Sequence, residues 1–217
     1  MLGRESFNQR VHLLRRFQIS HSAILAYHSR GENEKAYNTF IFQFQSAAKR
    51  KRVLTGGPWL FDRALLILTE PQGTGELSKL NFSIAPFWVQ IHNIPIVCMT
   101  VETGEILGKR IGEVLEVDTG STGTCLGNCI RVRILMDATK PLKRGIRAKL
   151  GGCNEVTQFV IFYECLPNFC FRCGYIRHLY RECPIPPTSG SPIDQDLKYS
   201  HLLKLPNSSV KPRDARR

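Results

Sequence analysis

Eight cysteines and six histidines are the residues of this 217-residue chain best suited to chemistry, and four of them fall together. Cys170-Phe171-Arg172-Cys173-Gly174-Tyr175-Ile176-Arg177-His178-Leu179-Tyr180-Arg181-Glu182-Cys183 reads C-x2-C-x4-H-x4-C. Three thiolates and one imidazole supply the tetrahedral N/S shell that Zn²⁺ prefers, and two residues between Cys170 and Cys173 let one tight turn present both sulfurs to one ion. Gly174 suits that turn. Cys170, Cys173, His178 and Cys183 fill the shell, which leaves no position for a substrate or an activated water. The spacing therefore predicts one structural Zn²⁺, whose binding supplies most of the folding energy of so short a loop. Cys165 is the nearest rival ligand. Cys98, Cys125, Cys129, Cys153 and Cys165 read mainly as buried or incidental thiols, and the cysteine pattern points to a reducing compartment rather than a disulfide framework.

No other constellation indicates catalysis. Gly104-Glu105-Ile106-Leu107-Gly108-Lys109 approaches a phosphate loop, but it has three residues between its glycines instead of four and no Ser or Thr after the Lys, so it reads as helix. There is no H-E-x-x-H, no G-x-S-x-G, no paired Asp of a polymerase and no Cys/His nucleophile pair. An enzyme is not expected. The formal charge is +12, from 30 basic and 18 acidic residues, and favours a polyanionic partner, nucleic acid first. The basic surplus lies at both ends of the chain, while residues 61–110 are nearly neutral.

The elements that must position these residues are an α+β set, and 42% hydrophobic residues argue for a folded body. Apolar residues from Phe7 to about Ala26 recur at helical spacing. Gly31 to Lys35 makes a turn, and Phe40, Phe42 and Phe44 alternate as a half-buried strand with the phenylalanines toward the core. Ser46 caps a short helix ended by Gly56-Gly57-Pro58, and Ala64 to Leu68 is a buried strand. Lys49-Arg50-Lys51-Arg52 spans all faces of that helix and reads as a solvated surface or a nuclear-import patch. In a second unit, Phe87, Val89 and Ile91 start a sheet, Thr100 caps a helix, and strands follow near Val114 to Val117 and Cys129 to Met136. Ile130, Val132, Ile134 and Met136 take one face of the last of these. Arg131 and Arg133 take the other, and Lys140, Lys143, Arg144, Arg147 and Lys149 follow, which makes a candidate phosphate track. A final strand, about Val156 to Tyr163, passes through Leu166-Pro167-Asn168 directly to the zinc motif, so the motif is expected to sit against the body.

The zinc motif resembles the zinc knuckle of retroviral Gag proteins, a family that binds single-stranded nucleic acid. The resemblance implies a cleft for an unpaired base flanked by Phe171 and Leu179, with Tyr180 beside them and Arg172, Arg177 and Arg181 around it. Aromatic faces stacking on splayed bases, with guanidinium groups on phosphate, are the physical means of such binding. The family usually has Gly before the His, where this chain has Arg177. If that position needs a left-handed backbone, Arg177 strains the knuckle by about 1 to 2 kcal/mol.

The order of motifs is similar to a plant family as well. Gly56-Gly57-Pro58-Trp59, Phe87-Trp88-Val89-Gln90-Ile91-His92, Gly112 to Asp118, Arg131-Val132-Arg133-Ile134, Thr139 to Gly145 and the CCHC knuckle resemble the uncharacterised domain that precedes zinc knuckles in non-LTR retrotransposon-derived proteins. The likeness spans nearly residues 5–184. It implies a Gag-like binder of single-stranded RNA or DNA that self-associates, with two small sheet-and-helix units similar to RNA-recognition modules. It also implies a strand ahead of the Phe7 helix, which is expected to be missing here. The expected division is 5–70 and 86–165 for the two units, 168–184 for the knuckle and 185–217 for a disordered basic tail, in which only Tyr199 to Leu205 is apolar enough to dock transiently.

No apolar run approaches the roughly 18 residues of a spanning helix, and no secretory segment follows Met1, so the chain is expected to be soluble and intracellular. Nucleus and cytoplasm both fit, the nucleus slightly better. The rival to nucleic-acid binding is a protein-interaction adaptor, in which knuckle and sheet faces bind another protein and the charge serves solubility. Neither membrane nor small-molecule substrate is expected as a partner.

Overall fold

The computed structural model describes residues 22–27, 39–44, 46–70, 82–151, 156–186 and 197–205. The chain divides into two units, Met1–Phe82 and Ser83–Arg217. The first contains β1 (Ser22–Tyr27), β2 (Thr39–Gln43), α1 (Ala47–Thr55), β3 (Trp59–Phe61) and β4 (Ala64–Thr69). Its strands form an antiparallel sheet in the order β2-β1-β4-β3.

Two expectations for this unit are corrected. Ser22–Tyr27, assigned by periodicity to a helix, is a strand paired with β2 on one side and β4 on the other. Ser22-Ala23-Ile24-Leu25-Ala26-Tyr27 is a short apolar run, and such a run in a central strand lacks the alternation that separates strand from helix. Residues 7–21, the turn at 31–35 and any strand before Phe7 lie outside the described residues. The phenylalanines of β2 were expected to face the core. Register sets Phe42 on the face of Leu66 and Leu68, all three half-buried, whereas Leu65 and Ile67 on the opposite face are closed to solvent.

α1 begins as its sequence dictates. The Ser46 hydroxyl accepts the Lys49 N–H at 3.3 Å, and the Gly56 N–H returns to the Arg52 carbonyl. None of its residues is buried. Arg50 pairs with Glu70 at 3.2 Å, while Lys49, Lys51 and Arg52 are exposed, so the basic run lies on a solvated helix.

The second unit contains β5 (Ile84–His92), α2 (Val101–Lys109), β6 (Glu113–Val117), β7 (Ile130–Asp137), β8 (Gly145–Ala148) and β9 (Thr157–Tyr163). The sheet is antiparallel, in the order β6-β7-β5-β9-β8. Phe87, Val89 and Ile91 of β5, Ile130, Val132 and Ile134 of β7, and Phe159 and Ile161 of β9 alternate onto one fully buried face. α2 covers it. A Cβ at Gly108 would lie 2.7 Å from Val114 Cγ2 and one at Gly104 would lie 2.9 Å from Val117 Cγ1, so these glycines let the helix approach the sheet closely. That requirement, four residues apart on one helix face, explains the glycine spacing that approached a phosphate loop. β8 lies within the basic run after Pro141, where four residues were too few to read as a strand.

Two boundaries also change. The second unit continues past residue 165 to take in the knuckle, and residues 197–205 of the expected disordered tail are folded against it. No helix among the described residues is long and apolar enough to cross a membrane.

Candidate metal centre

The knuckle is built as a continuation of β9. Leu166, Phe169, Cys170 and Ile176 are buried and anchor its inner side. The chain then turns tightly: the Gly174 N–H donates to the Cys170 carbonyl at 2.8 Å and the Cys170 N–H to the Tyr175 carbonyl at 2.9 Å. Gly174 has φ 79°, a left-handed conformation that glycine adopts without penalty. Its carbonyl accepts the Leu142 N–H at 2.9 Å, which ties the turn to the sheet unit and meets the expectation that the short linker holds the knuckle against the body.

The donor atoms of Cys170, Cys173, His178 and Cys183 all lie within 4.8 Å of one another, and Cys173 Sγ is 3.3 Å from His178 Nε2. A tetrahedral ion with bonds of about 2.3 Å to sulfur needs ligand separations of about 3.8 Å, so the cluster fits a four-coordinate metal with small adjustments. Among the described residues it is the one such cluster, and Cys165 is outside it. Cys98 and Cys125 are buried and Cys129 and Cys165 half-buried, all as thiols. Burial pushes the Cys125, Cys129 and Cys165 thiols up, as expected for inert cysteines. Cys153 lies outside the described residues.

The electrostatics of the cluster favour a cation. Desolvation, followed by the adjacent Cys170 and Cys183 sulfurs, pushes the Cys173 thiol up to about 12. A bound divalent ion reverses that penalty, because a coordinating thiol is deprotonated outright. Desolvation opposes ionisation of Cys183 too, but hydrogen bonds from the Ile185 backbone and the neighbouring cysteines, with the charge of Arg172, pull it down. Burial lowers the His178 pKa and so favours the neutral imidazole that a metal needs. The Arg172 guanidinium donates to the Ile185 carbonyl at 2.8 Å, and its buried Nε has no partner among the described residues. Three thiolates on a divalent ion leave one negative charge, which Arg172 is placed to balance.

The remaining predicted contacts separate into two groups. On the knuckle, Arg177 and Arg181 are exposed, and Phe171, Leu179 and Tyr180 are half-buried. Phe171 packs edge-on against Phe169 with centroids 5.0 Å apart, and Arg181 donates to the Tyr180 hydroxyl. Arg177 does not have a positive φ, so the expected strain is absent and the left-handed position of the knuckle is Gly174. On the sheet, Arg131 is engaged within the protein. Its Nε and Nη2 donate to the two oxygens of Glu164 at 2.8 Å each, its Nη1 donates to Asp118 at 3.0 Å, and it lies 3.7 Å over the Trp88 ring. These contacts give Arg131 a structural role. Arg133 is half-buried and 5.3 Å over the same ring. Lys143 Nζ donates to the Arg110 carbonyl at the end of α2, and Arg144 donates to the Lys198 carbonyl at 2.6 Å. The track is thus distributed over several structural duties.

Sequence reasoning missed Glu164 and Asp118, which neutralise Arg131 from distant strands and loops. It gave Tyr199 only a transient role. Tyr199 donates its N–H to the Phe171 carbonyl, and its ring covers Gly174 so closely that a Cβ there would be 2.3 Å from Tyr199 Cζ. Gly174→Ala is therefore expected to exceed the roughly 1 to 2 kcal/mol penalty of a left-handed alanine. Thermal unfolding of the zinc-loaded protein checks this, with an unchanged midpoint as the contrary result.

Over 132 residues the chain is 26% identical to an uncharacterised protein of Arabidopsis thaliana, an overlap covering 61% of this chain and 41% of that protein. The chain thus matches about two-fifths of that relative's length. No family model and no solved structure matches.

Proposed function

We propose that this is a zinc-dependent, Gag-like binding protein for single-stranded RNA or DNA, of retroelement origin, in which the knuckle is the principal contact. The observation that carries the reading is the asymmetry of the knuckle. Its inner side, with Phe169, Cys170, Gly174 and Ile176, is buried, while Phe171, Leu179 and Tyr180 are half-buried and Arg177 and Arg181 are exposed. This combination suits bases that stack and phosphates that need charge. The net charge of +12 and the Cys₃His ligand set support it. The α+β fold of the second unit, with β5 between β7 and β9, supports the reading only as far as that mixed architecture. Arg131 already covers the Trp88 ring, however, so stacking falls to the knuckle rather than to the sheet.

Phe171→Ala is expected to lower affinity for an unstructured oligonucleotide by about 1 to 3 kcal/mol with little change in salt dependence. Replacing Arg177 and Arg181 together should reduce the slope of log K against log[salt] by about 0.7 for each lost phosphate contact. The adaptor reading has one observation in its favour, the exposed Ile96 and Val97 ahead of α2. Binding indifferent to both sets of substitutions supports the adaptor and contradicts the nucleic-acid reading.

A further inference from the structure

The segment Leu197–Leu205 has structural duties that its composition does not announce. It crosses the second unit and meets three elements. Lys204 forms a parallel bridge with Tyr163 at the end of β9, the Leu205 N–H donates to the Tyr163 carbonyl at 3.1 Å, and Leu203 is buried. Tyr199 donates to the Phe171 carbonyl at 2.8 Å and lays its ring on Gly174, the residue that closes the Cys170–Cys173 turn. Arg144, just before β8, donates to the Lys198 carbonyl and lies 5.3 Å over the Tyr199 ring. One short segment thus bridges the sheet, the metal turn and a cation of the basic run.

We propose that Leu197–Leu205 is a latch on the zinc knuckle: metal binding shapes the turn that the latch grips, and the docked latch in turn holds the metal. Gly174 lies between these two events. Its left-handed backbone is set by the turn that brings Cys170 and Cys173 onto one ion, and the surface it presents is what Tyr199 covers. Coupling of this kind is reciprocal, because whatever zinc adds to latch docking the latch adds to zinc affinity. Closure has a second consequence, which rests on the nucleic-acid reading above. The docked latch occupies Arg144 and the Phe171 carbonyl, so opening it releases a guanidinium beside the knuckle. Residues 197–205 contain no Asp or Glu, so the latch acts by occupying Arg144 and not by imitating a polyanion.

The test uses the full chain. Zinc affinity, measured by competition with a chromogenic chelator, is expected to fall at least about fivefold in Tyr199→Ala and in Leu203→Ala, the lower end of typical coupling. Leu202→Ala, at an exposed position in the same segment, should leave it unchanged. Amide exchange supplies the reciprocal measurement: the Tyr199 and Leu205 amides should be protected with zinc and exchange freely after chelation. Equal zinc affinity in wild type and Tyr199→Ala, or exchange at Tyr199 and Leu205 that ignores zinc, overturns the latch. With zinc saturating, Tyr199→Ala should also bind an oligonucleotide with a salt slope steeper by about 0.7, for the one phosphate contact Arg144 regains. An unchanged slope overturns the release of Arg144. Absence of oligonucleotide binding in every variant counts against the nucleic-acid reading alone, since the zinc and exchange measurements do not depend on it.

Discussion

Cys173→Ser is expected to yield protein that purifies without stoichiometric zinc, where the wild-type chain carries one ion. A hydroxyl is a poor substitute for a thiolate in a Cys₃His shell, and Cys173 Sγ lies 3.3 Å from His178 Nε2 within the cluster. Loss of a residue that merely orients a ligand typically costs about 10 to 100-fold in metal affinity, and loss of a ligand should cost more. Structural zinc contributes about 10 to 16 kcal/mol in small fingers, so much of the order in 168–184 should go with it. Elemental analysis decides the matter. Zinc content equal to wild type contradicts the assignment of the four ligands.

A comparably large effect is expected far from the metal, at Glu164. This carboxylate is 4% exposed and accepts from Arg131 twice and from Gln90 Nε2 once, each at 2.8 Å. Glu164→Ala leaves the half-buried Arg131 with Asp118 alone, and breaking a buried pair from one side costs about 3 to 5 kcal/mol. Glu164→Gln keeps the shape and one acceptor and should cost less. Burial by itself would raise the Glu164 pKa. The hydrogen bonds from Arg131 and Gln90, with the Arg131 charge, outweigh burial and hold it below the ordinary carboxylate range. The unfolded chain therefore takes up the proton first as pH falls. The stabilisation is complete above the ordinary pKa of about 4.3 and disappears as pH drops through the lower folded value. Urea unfolding at neutral pH should separate wild type from Glu164→Ala, and the gap should close in acid. A gap that persists unchanged in acid contradicts the ion-pair account.

What the sequence made legible was local. The metal ligands lie within fourteen residues, the caps at Ser46 and Thr100 act three residues ahead, and the alternation of β7 repeats within eight, so each signal is complete before the chain folds. What it hid was set by partners brought from elsewhere. β1 is a strand because β2 and β4 flank it, and its own residues carry no alternation. Phe42 lies opposite the best-buried face because pairing register decides the side, and a regular alternation serves either side equally. Arg131 looked available on its strand until Asp118 and Glu164 approached from 13 and 33 residues away. Arg177 shows the limit of carrying a family's glycine over, since this knuckle places its left-handed backbone at Gly174 instead.

The most direct test of the whole account is titration of an unstructured single-stranded oligonucleotide, RNA and then DNA, into zinc-loaded wild type and into Cys173→Ser at two salt concentrations. The account predicts binding to the wild type that weakens as salt rises and little preference among sequences, with a clear loss of affinity in the variant. Binding that is absent from the zinc-loaded protein at low salt, or equal in the two proteins, contradicts it.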